Sequence, residues 1–444
     1  MKWRFPDMFF TWRTYLLVIA LVLVYFSGFF RIEFYRAGHL FLWTLLGLIA
    51  VDFLILFANR DGIKGSRHTT ARLSNGDENP IQLRLENSYF FPVNLIVIDE
   101  IPAQFQVRDF EKKCRIAGGR SIELNYLLKP VVRGEYYFGH INAHVSSPLG
   151  LIRRRYKLGE QSMLPVYPSF IQMRKYELLA ISNRLLHAGI KKIRKIGNTT
   201  EFDHIKEYTP GDDIRTINWK AVARRGKLMV NRYQDEKAQP VYSIIDMGRA
   251  MRMPFEEMAL LDYAVNSSLV ISNIAYLKSD KPGLITFSDK VHSYIPAERR
   301  GSQMYRIMET LYNQKTNFLE SGFEHLYAHI KANITHRSLL LLFTNFETLS
   351  GLRRQMKHLR SIAKNHLLVV IFFENTELHE LIQKDAANTQ EIYFKTIAEK
   401  FELEKKLITK ELGAYGIQSI YTAPENLSIN TINKYLELKA RNLI

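Results

Sequence analysis

Apolar positions change their period three times along this chain, and each change marks a different kind of element. Residues 14–30 form an uncharged, largely apolar run, and residues 37–57 a second, interrupted only by His39 and Asp52. Each is long enough to cross a bilayer as a helix. The short connection between them predicts a hairpin whose two ends lie on one side, so residues 1–60 are expected to be a two-helix transmembrane anchor. From about residue 77 to 168 the runs IQLRLEN, NLIVIDE, QFQVRDF, SIELNYLL, YYFGHINAHV and MLPVYP alternate apolar and polar residues between turn formers. That is strand chemistry, and over 61–168 it predicts a small antiparallel β-sandwich. Turns are expected at RGEY, 133–136, and SSPLGL, 146–151. Residues 169–239 read as a helical connector, 170–194, followed by a dense polar segment. From residue 240 to 444, strands at 241–245, 283–287, 338–343, 366–373 and 418–421 alternate with helices at 255–278, 303–313, 322–333, 352–364, 392–412 and 427–441. Crossovers of that length suit parallel neighbours. The expectation is an α/β, Rossmann-like open sheet with helices on both faces.

Charge fixes an orientation for the anchor. Lys2, Arg4 and Arg13 precede the hairpin and Arg60, Lys64, Arg67 and Arg72 follow it, against Arg31 and Arg36 in the loop. The positive-inside rule then places both flanks, and everything after residue 60, in the cytoplasm of an inner membrane. A cleaved signal peptide is the competing reading, but no small-residue cleavage pattern follows the first run. In this topology the sequons at Asn198, Asn333 and Asn426 lose their meaning. Asp52, a carboxylate inside an apolar run, falls near Leu17 across the hairpin. It is expected to pair with a snorkelling Arg13, with a proton-relay or lipid-binding role as the alternative. A formal net charge of +17 suits an anionic partner. The basic run Lys191, Lys192, Arg194 and Lys195 is either a solvated face or a contact for such a partner. Cys114 is the only cysteine, which excludes an internal disulfide and a cysteine-rich metal cluster.

Candidate chemistry gathers in 201–246. A strand ending at Asp246 and giving way to Met247, Gly248, Arg249 and Ala250 puts a carboxylate at the carboxyl edge of the sheet, where open α/β folds keep their sites. Ser288, Asp289, Thr344 and Asn345 follow other strands to that edge, with Thr316 on the approach to a helix. Upstream, Asp212 or Asp213 is suited to N-cap a helix over 214–223, on which Trp219 is expected to be core. Glu201, Asp203, Glu207, Asp212, Asp213, Arg215, Lys220, Arg224 and Arg225 then form either a structural ion-pair network or a partner-docking surface. No phosphate-cradling G-x-x-x-x-G-K and no G-x-S-x-G elbow occurs, and His379-Glu380 lacks the second His of a zinc helix. His204, beside Asp203 and Glu207, has no accompanying nucleophile. Dispersed basic residues and no recognised binding module argue against nucleic acid.

The segment GDDIRTINWK, the paired apolar runs, SSPLGL, VYPSF and the α/β half together closely resemble the domain of unknown function 58 family, over most of the chain. The resemblance implies a von Willebrand factor A-like carboxyl half. Metal-binding domains of that kind present Asp-x-Ser-x-Ser, a Thr and a second Asp to one divalent cation. Here Asp246 matches the first acid and Thr316 the threonine, but Gly248 and Ala250 stand at the serine positions and Asn345 at the second acid. Lost hydroxyls and a lost charge weaken a Mg²⁺ site, so a degenerate, metal-free edge is expected. Asp246 would then cap a helix or pair with Arg249. The resemblance further implies a MoxR-type AAA+ ATPase as partner, the pair acting on assembly or maturation of client proteins. The leading expectation is therefore a non-enzymatic, membrane-anchored interaction protein. Two alternatives stay open: Mg²⁺-dependent partner binding through Asp246 and Thr316, and a hydrolase or transferase built on the 201–225 cluster.

Overall fold

A computed structural model describes residues 7–181, 201–210, 212–234, 238–255, 257–316, 319–384 and 388–443, without the side chains of 180, 181, 201–204, 232–234, 379 and 380. The basic run 191–195 and Gly211 lie outside the described residues. The chain forms two compact units, Met1–Tyr167 and Pro168–Ile444.

In the first unit the apolar runs form helices Trp12–Ser27 and Ile32–Phe57. They pack as a hairpin, with the Tyr25 and Tyr35 rings 5.9 Å apart. Gly38 permits the approach, because a Cβ there would sit 2.9 Å from the Tyr25 ring. Ile32–Phe57, with a mean hydropathy of 2.5 over its apolar window, is long and apolar enough to cross a membrane. Trp12–Ser27 has 16 residues, about 24 Å at the helical rise and shorter than the expected 14–30 run, because residues 28–31 turn the chain.

The β region builds three sheets around one core. A five-stranded sheet runs in the order Met8–Phe10, Ile152–Leu158, Ile141–Ser146, Val93–Asp99, Lys112–Ile116. Ile63–His68, Asn79–Asn87 and Ser121–Leu128 form a second, and Leu73–Ser74, Ser162–Tyr167 and Gly134–Phe138 a third. Every pairing is antiparallel except that of the two-residue Leu73–Ser74. The period-2 pattern is obeyed: Ile81, Leu83 and Leu85 are buried and join Val93, Leu95, Val97, Ala143 and Val145 in the core. Met8–Phe10, preceding the first helix, pairs with Ile152–Leu158 in register Met8↔Arg154. The strand lies inside the 1–60 segment expected to be anchor, because three residues are too few to show an apolar period.

Asp52 departs from its expected partner. It is fully buried and accepts hydrogen bonds from the Ser147 hydroxyl and from the backbone N–H of Leu151 (2.9 Å) and Ile152 (2.8 Å). Arg13 instead reaches the Leu149 carbonyl at 3.4 Å. The SSPLGL turn offers Asp52 two preorganised N–H donors and a hydroxyl, a fuller satisfaction than one mobile guanidinium gives. Thr11 and Thr14 donate to the Gly150 and Leu151 carbonyls of the same turn (2.6 and 2.5 Å). At the helix end, Arg154 donates to the carbonyls of Leu56 and Asn59, each at 2.6 Å.

The second unit is a six-stranded sheet in the order Val291–Ile295, Lys281–Phe287, Pro240–Asp246, Leu339–Phe343, Leu367–Phe373, Gln418–Thr422. Only Val291–Ile295, an edge strand not anticipated from sequence, runs antiparallel. Side chains alternate between two cores: Val241, Ile245, Leu339, Leu341 and Phe343 lie on one face, Tyr242, Ile244, Leu340 and Leu342 on the other. Helices Phe170–Ile181, Leu260–Leu277, Gln303–Tyr312 and Leu427–Ala440 cover the first; Phe323–Asn333, Leu349–Ala363 and Thr389–Ala414 cover the second. Successive connections leave Pro240–Asp246 toward one edge and return to Leu339–Phe343 on its other side. That makes its carboxyl end the topological switch point. An antiparallel ribbon, Glu201–Glu207 with Met229–Gln234, precedes the sheet.

Candidate functional site

Asp246 ends the central strand and is 1% exposed. One oxygen accepts from the Gly248 N–H (2.8 Å) and the Ser321 hydroxyl (2.6 Å), the other from the Thr344 hydroxyl (2.6 Å). Burial pushes its carboxyl up, and the three donors offset that only in part. Gly248 is required by the packing itself, since a Cβ there would lie 2.3 Å from the Ser321 oxygen. The hydroxyl absent at 248 is in effect supplied from residue 321.

Asp246, Gly248, Thr344 and Asn345 are thus brought together, as the strand-end pattern implied. Thr316 is described but donates no hydrogen bond to Asp246; Ser321 and Thr344 fill that role. Asp246 does not pair with Arg249, whose N–H bonds the Leu319 carbonyl at 3.1 Å. Ser321 carried no sequence signal, because it lies 75 residues away and looks like the ordinary approach to a helix. Asn345 accepts from the Lys405 ammonium (2.8 Å), which also donates to the Phe346 carbonyl (2.6 Å). Burial holds Lys405 down to about 8, with Glu347 and Glu404 opposing the shift. Lys405 was hidden in the run EKKLITK, which reads as a solvated helix face.

These donors do not suit Mg²⁺. The cation wants six oxygens in octahedral array, whereas an N–H donor points into the Asp246 carboxylate and an ammonium occupies the second acid position. No group of three or more His, Cys, Asp or Glu placed to hold a metal occurs among the described residues. Nearby, the Ser288 hydroxyl contacts His292 Nε2 at 2.6 Å and Asp289 at 2.7 Å. Asp289 approaches the same ring nitrogen, at 3.4 Å, rather than the opposite one as in a hydrolytic triad. Ser288 is also fully buried, so no substrate reaches it.

The GDD segment differs from its expected form. Asp213 caps a short 3₁₀ turn, Ile214–Thr216, by accepting from the Arg215 N–H (2.9 Å). The α-helix starts later, at Trp219–Arg225, capped by Asn218 accepting from Ala221 N–H (3.1 Å). Ile217, bridged to Val230, takes extended backbone angles and splits the single helix expected over 214–223. Asp212 accepts from Lys206 (2.7 Å) and from the Thr209 N–H and hydroxyl (2.9 and 2.8 Å). Those bonds, Lys206 foremost, hold its carboxyl down to about 2. Trp219 is not core: it is 71% exposed, and Ile214 is 69% exposed. With only seven residues, its helix has too little surface to bury a face of its own. Arg215, Lys220, Arg224 and Arg225 are exposed as well. Asp203 sits at the irregularity of the ribbon between Phe202 and His204, and its side chain lies outside the described ones.

Fold and site together define a doubly wound α/β unit with a hydroxyl-lined acid at its switch point, joined to an N-terminal unit that carries an apolar hairpin. The family model described as "Protein of unknown function DUF58" matches residues 204–398, which include most of the ribbon, the exposed tryptophan and the Asp246 edge. The chain is 24% identical over 277 residues to the "Uncharacterized protein YeaD" of Bacillus subtilis (strain 168), covering 61% of this chain and 67% of that protein. Among solved structures, the ASH/PapD-like domain of human CEP192 aligns at 13% identity over 22% of this chain and 84% of that one, with a TM-score of 0.16. The putative ApaA protein of Bordetella pertussis aligns at 13% identity over 23% and 91%, with a TM-score of 0.18. Both scores lie far below those of a shared whole-chain fold.

Proposed function

We propose that this protein is a membrane-anchored interaction module whose second unit acts as a von Willebrand factor A-type domain. Its working partner in this reading is a MoxR-type AAA+ ATPase, and the pair acts on assembly or maturation of client proteins. The observation that carries the binding part is the exposed Trp219. A tryptophan on a short helix among arginines and lysines has the composition of an interface anchor, and burying it against its own chain would have been the ordinary outcome. The switch-point acid is held by two hydroxyls and a backbone N–H, which supports a module that leaves nucleotide chemistry to its partner. The ATPase itself rests on the family resemblance alone.

Membrane placement with cytoplasmic main domains belongs to the same reading. Met8–Phe10 lies before the hairpin and Ile152–Leu158 after it, yet they pair in one sheet. That pairing supports a hairpin whose two ends lie on one side of a bilayer and whose helices cross as a pair. The basic flanks favour the cytoplasmic side.

Affinity purification of the full-length protein from its native membrane tests the partner, comparing wild type with Trp219→Ala and Asp246→Ala. Recovery of an AAA+ ATPase with wild type and its loss with Trp219→Ala, at a stability within about 0.5 kcal/mol of wild type as for a surface site, is the expected result. Absence of any ATPase under cross-linking overturns the reading.

A further inference from the structure

Beyond the Asp246 cradle, the carboxyl ends of the Leu339–Phe343 and Leu367–Phe373 strands and the Thr389–Ala414 helix enclose a cavity of about 350 Å³. Its walls are apolar and aromatic, formed by Phe255, Phe373, Phe401 and Tyr421 with Leu260 and Leu378. Phe255 and Phe373 are buried, whereas Phe401 is 41% exposed, so the space has a closed floor and an open side. Its charge is opposite to that of the chain. Among the described lining residues are Glu347, Glu374, Glu377 and Glu402 against the single ammonium of Lys405, in a protein of net charge +17.

Lys405 offsets these acids only in part: its ammonium is bonded to the Asn345 side chain and the Phe346 carbonyl, and of the lining acids it is Glu347 whose field it feels. Glu402 is paired with Lys406 at 2.6 Å. Glu347, Glu374 and Glu377 have no ion-pair partner among the described residues, and Glu347 and Glu377 are exposed. The negative field reaches the wall: the Tyr421 phenol is pushed up by burial and then by the Glu374 and Glu402 carboxylates. An apolar slot with carboxylates beside it matches a side chain with an aliphatic stem and a cationic head. An anionic ligand would meet like charge there, and an apolar one would leave those acids uncompensated.

We propose that this cavity is a receptor for a basic side chain, an arginine above all, presented by a partner protein. The stem lies along Phe401 and Phe373, and the guanidinium meets Glu374 and Glu377, whose carboxylates suit its planar fork. The proposal rests on the interaction-module reading and gives that module a second contact, separate from the tryptophan.

Saturation-transfer NMR on the full-length protein in detergent micelles tests it, with N-acetyl-arginine amide as the probe. N-acetyl-citrulline amide, of the same shape without the charge, is the control. The arginine probe is expected to bind, the citrulline probe at least about tenfold more weakly, a difference of about 1.4 kcal/mol. A comparable loss is expected in the Glu374→Gln/Glu377→Gln double variant, and abolition in the cavity-filling Leu378→Trp. Glu391→Gln, an exposed acid of the Thr389–Ala414 helix that does not line the cavity, should bind as wild type does. Equal binding of citrulline, no transfer to wild type, or arginine binding indifferent to the Glu374→Gln/Glu377→Gln change overturns the proposal. Because the probe involves no ATPase, such a failure removes this pocket and leaves the recovery of the ATPase from membranes to be decided separately.

Discussion

Gly248 and Ser321 share one small space beside the Asp246 carboxylate, and their substitution effects should not add. Gly248→Ala pushes a methyl into the Ser321 hydroxyl, for a loss of about 1–3 kcal/mol by overpacking. Ser321→Ala removes a donor to the buried acid, for about 1.5–3 kcal/mol. In the double variant the clash is partly relieved, so the measured loss in chemical denaturation should fall short of the sum. An additive result would place the two side chains apart. Lys405 carries a pH signature. Its ammonium is held near 8 when folded against 10.5 ordinarily, so between those values the unfolded chain binds more protons. Stability should therefore rise with pH across about 8 to 10.5. Lys405→Met should flatten that rise when denaturation midpoints are compared at pH 7.5 and 9.5.

At the scale of elements, the joint between the long apolar helix and the β-sandwich is the part most open to test. Asp52→Ala leaves the N–H groups of Leu151 and Ile152 without their acceptor in a buried place. A loss of about 3 kcal/mol is expected, seen as earlier thermal unfolding and faster proteolysis of the first unit in detergent. An Arg13→Ala change, which the pairing first expected across the hairpin would make costly, should be nearly silent. That contrast shows what was legible in the sequence. Strand positions 241–245, 283–287 and 366–373 could be read because parallel, doubly covered strands are continuous apolar runs. Helix Leu427–Ala440 and the alternation of 79–87 were visible for similar reasons of period. Val291–Ile295 was not, since HSY in its middle has no apolar period and its place comes only from pairing with Thr286 and its neighbours. Trp219 was misassigned because a helix over 214–223 would have been long enough to bury one face, while the break at Ile217 leaves a single turn pair that cannot. Partners such as Ser147 for Asp52 and Ser321 for Asp246 are long-range, and local patterning carries no information about them.

For the whole molecule, the pairing of both hairpin flanks in one sheet makes topology measurable with few reporters. In a Cys114→Ala background, Phe30→Cys should react with a membrane-impermeant maleimide from the outside of spheroplasts, and Lys227→Cys only after lysis. Labelling of Lys227→Cys in intact spheroplasts would reverse the orientation. The edge strand Met8–Phe10 has one more consequence, in time rather than space. It is made before the hairpin, but its partner Ile152–Leu158 leaves the ribosome only some 145 residues later, about 7 to 30 seconds at ordinary elongation rates. On the membrane-anchored reading, the apolar hairpin has by then long since emerged and met a bilayer. In that reading the sandwich closes last around a strand held at the membrane surface, insertion is the first step of this unit's folding, and its own anchor is the template on which it is completed.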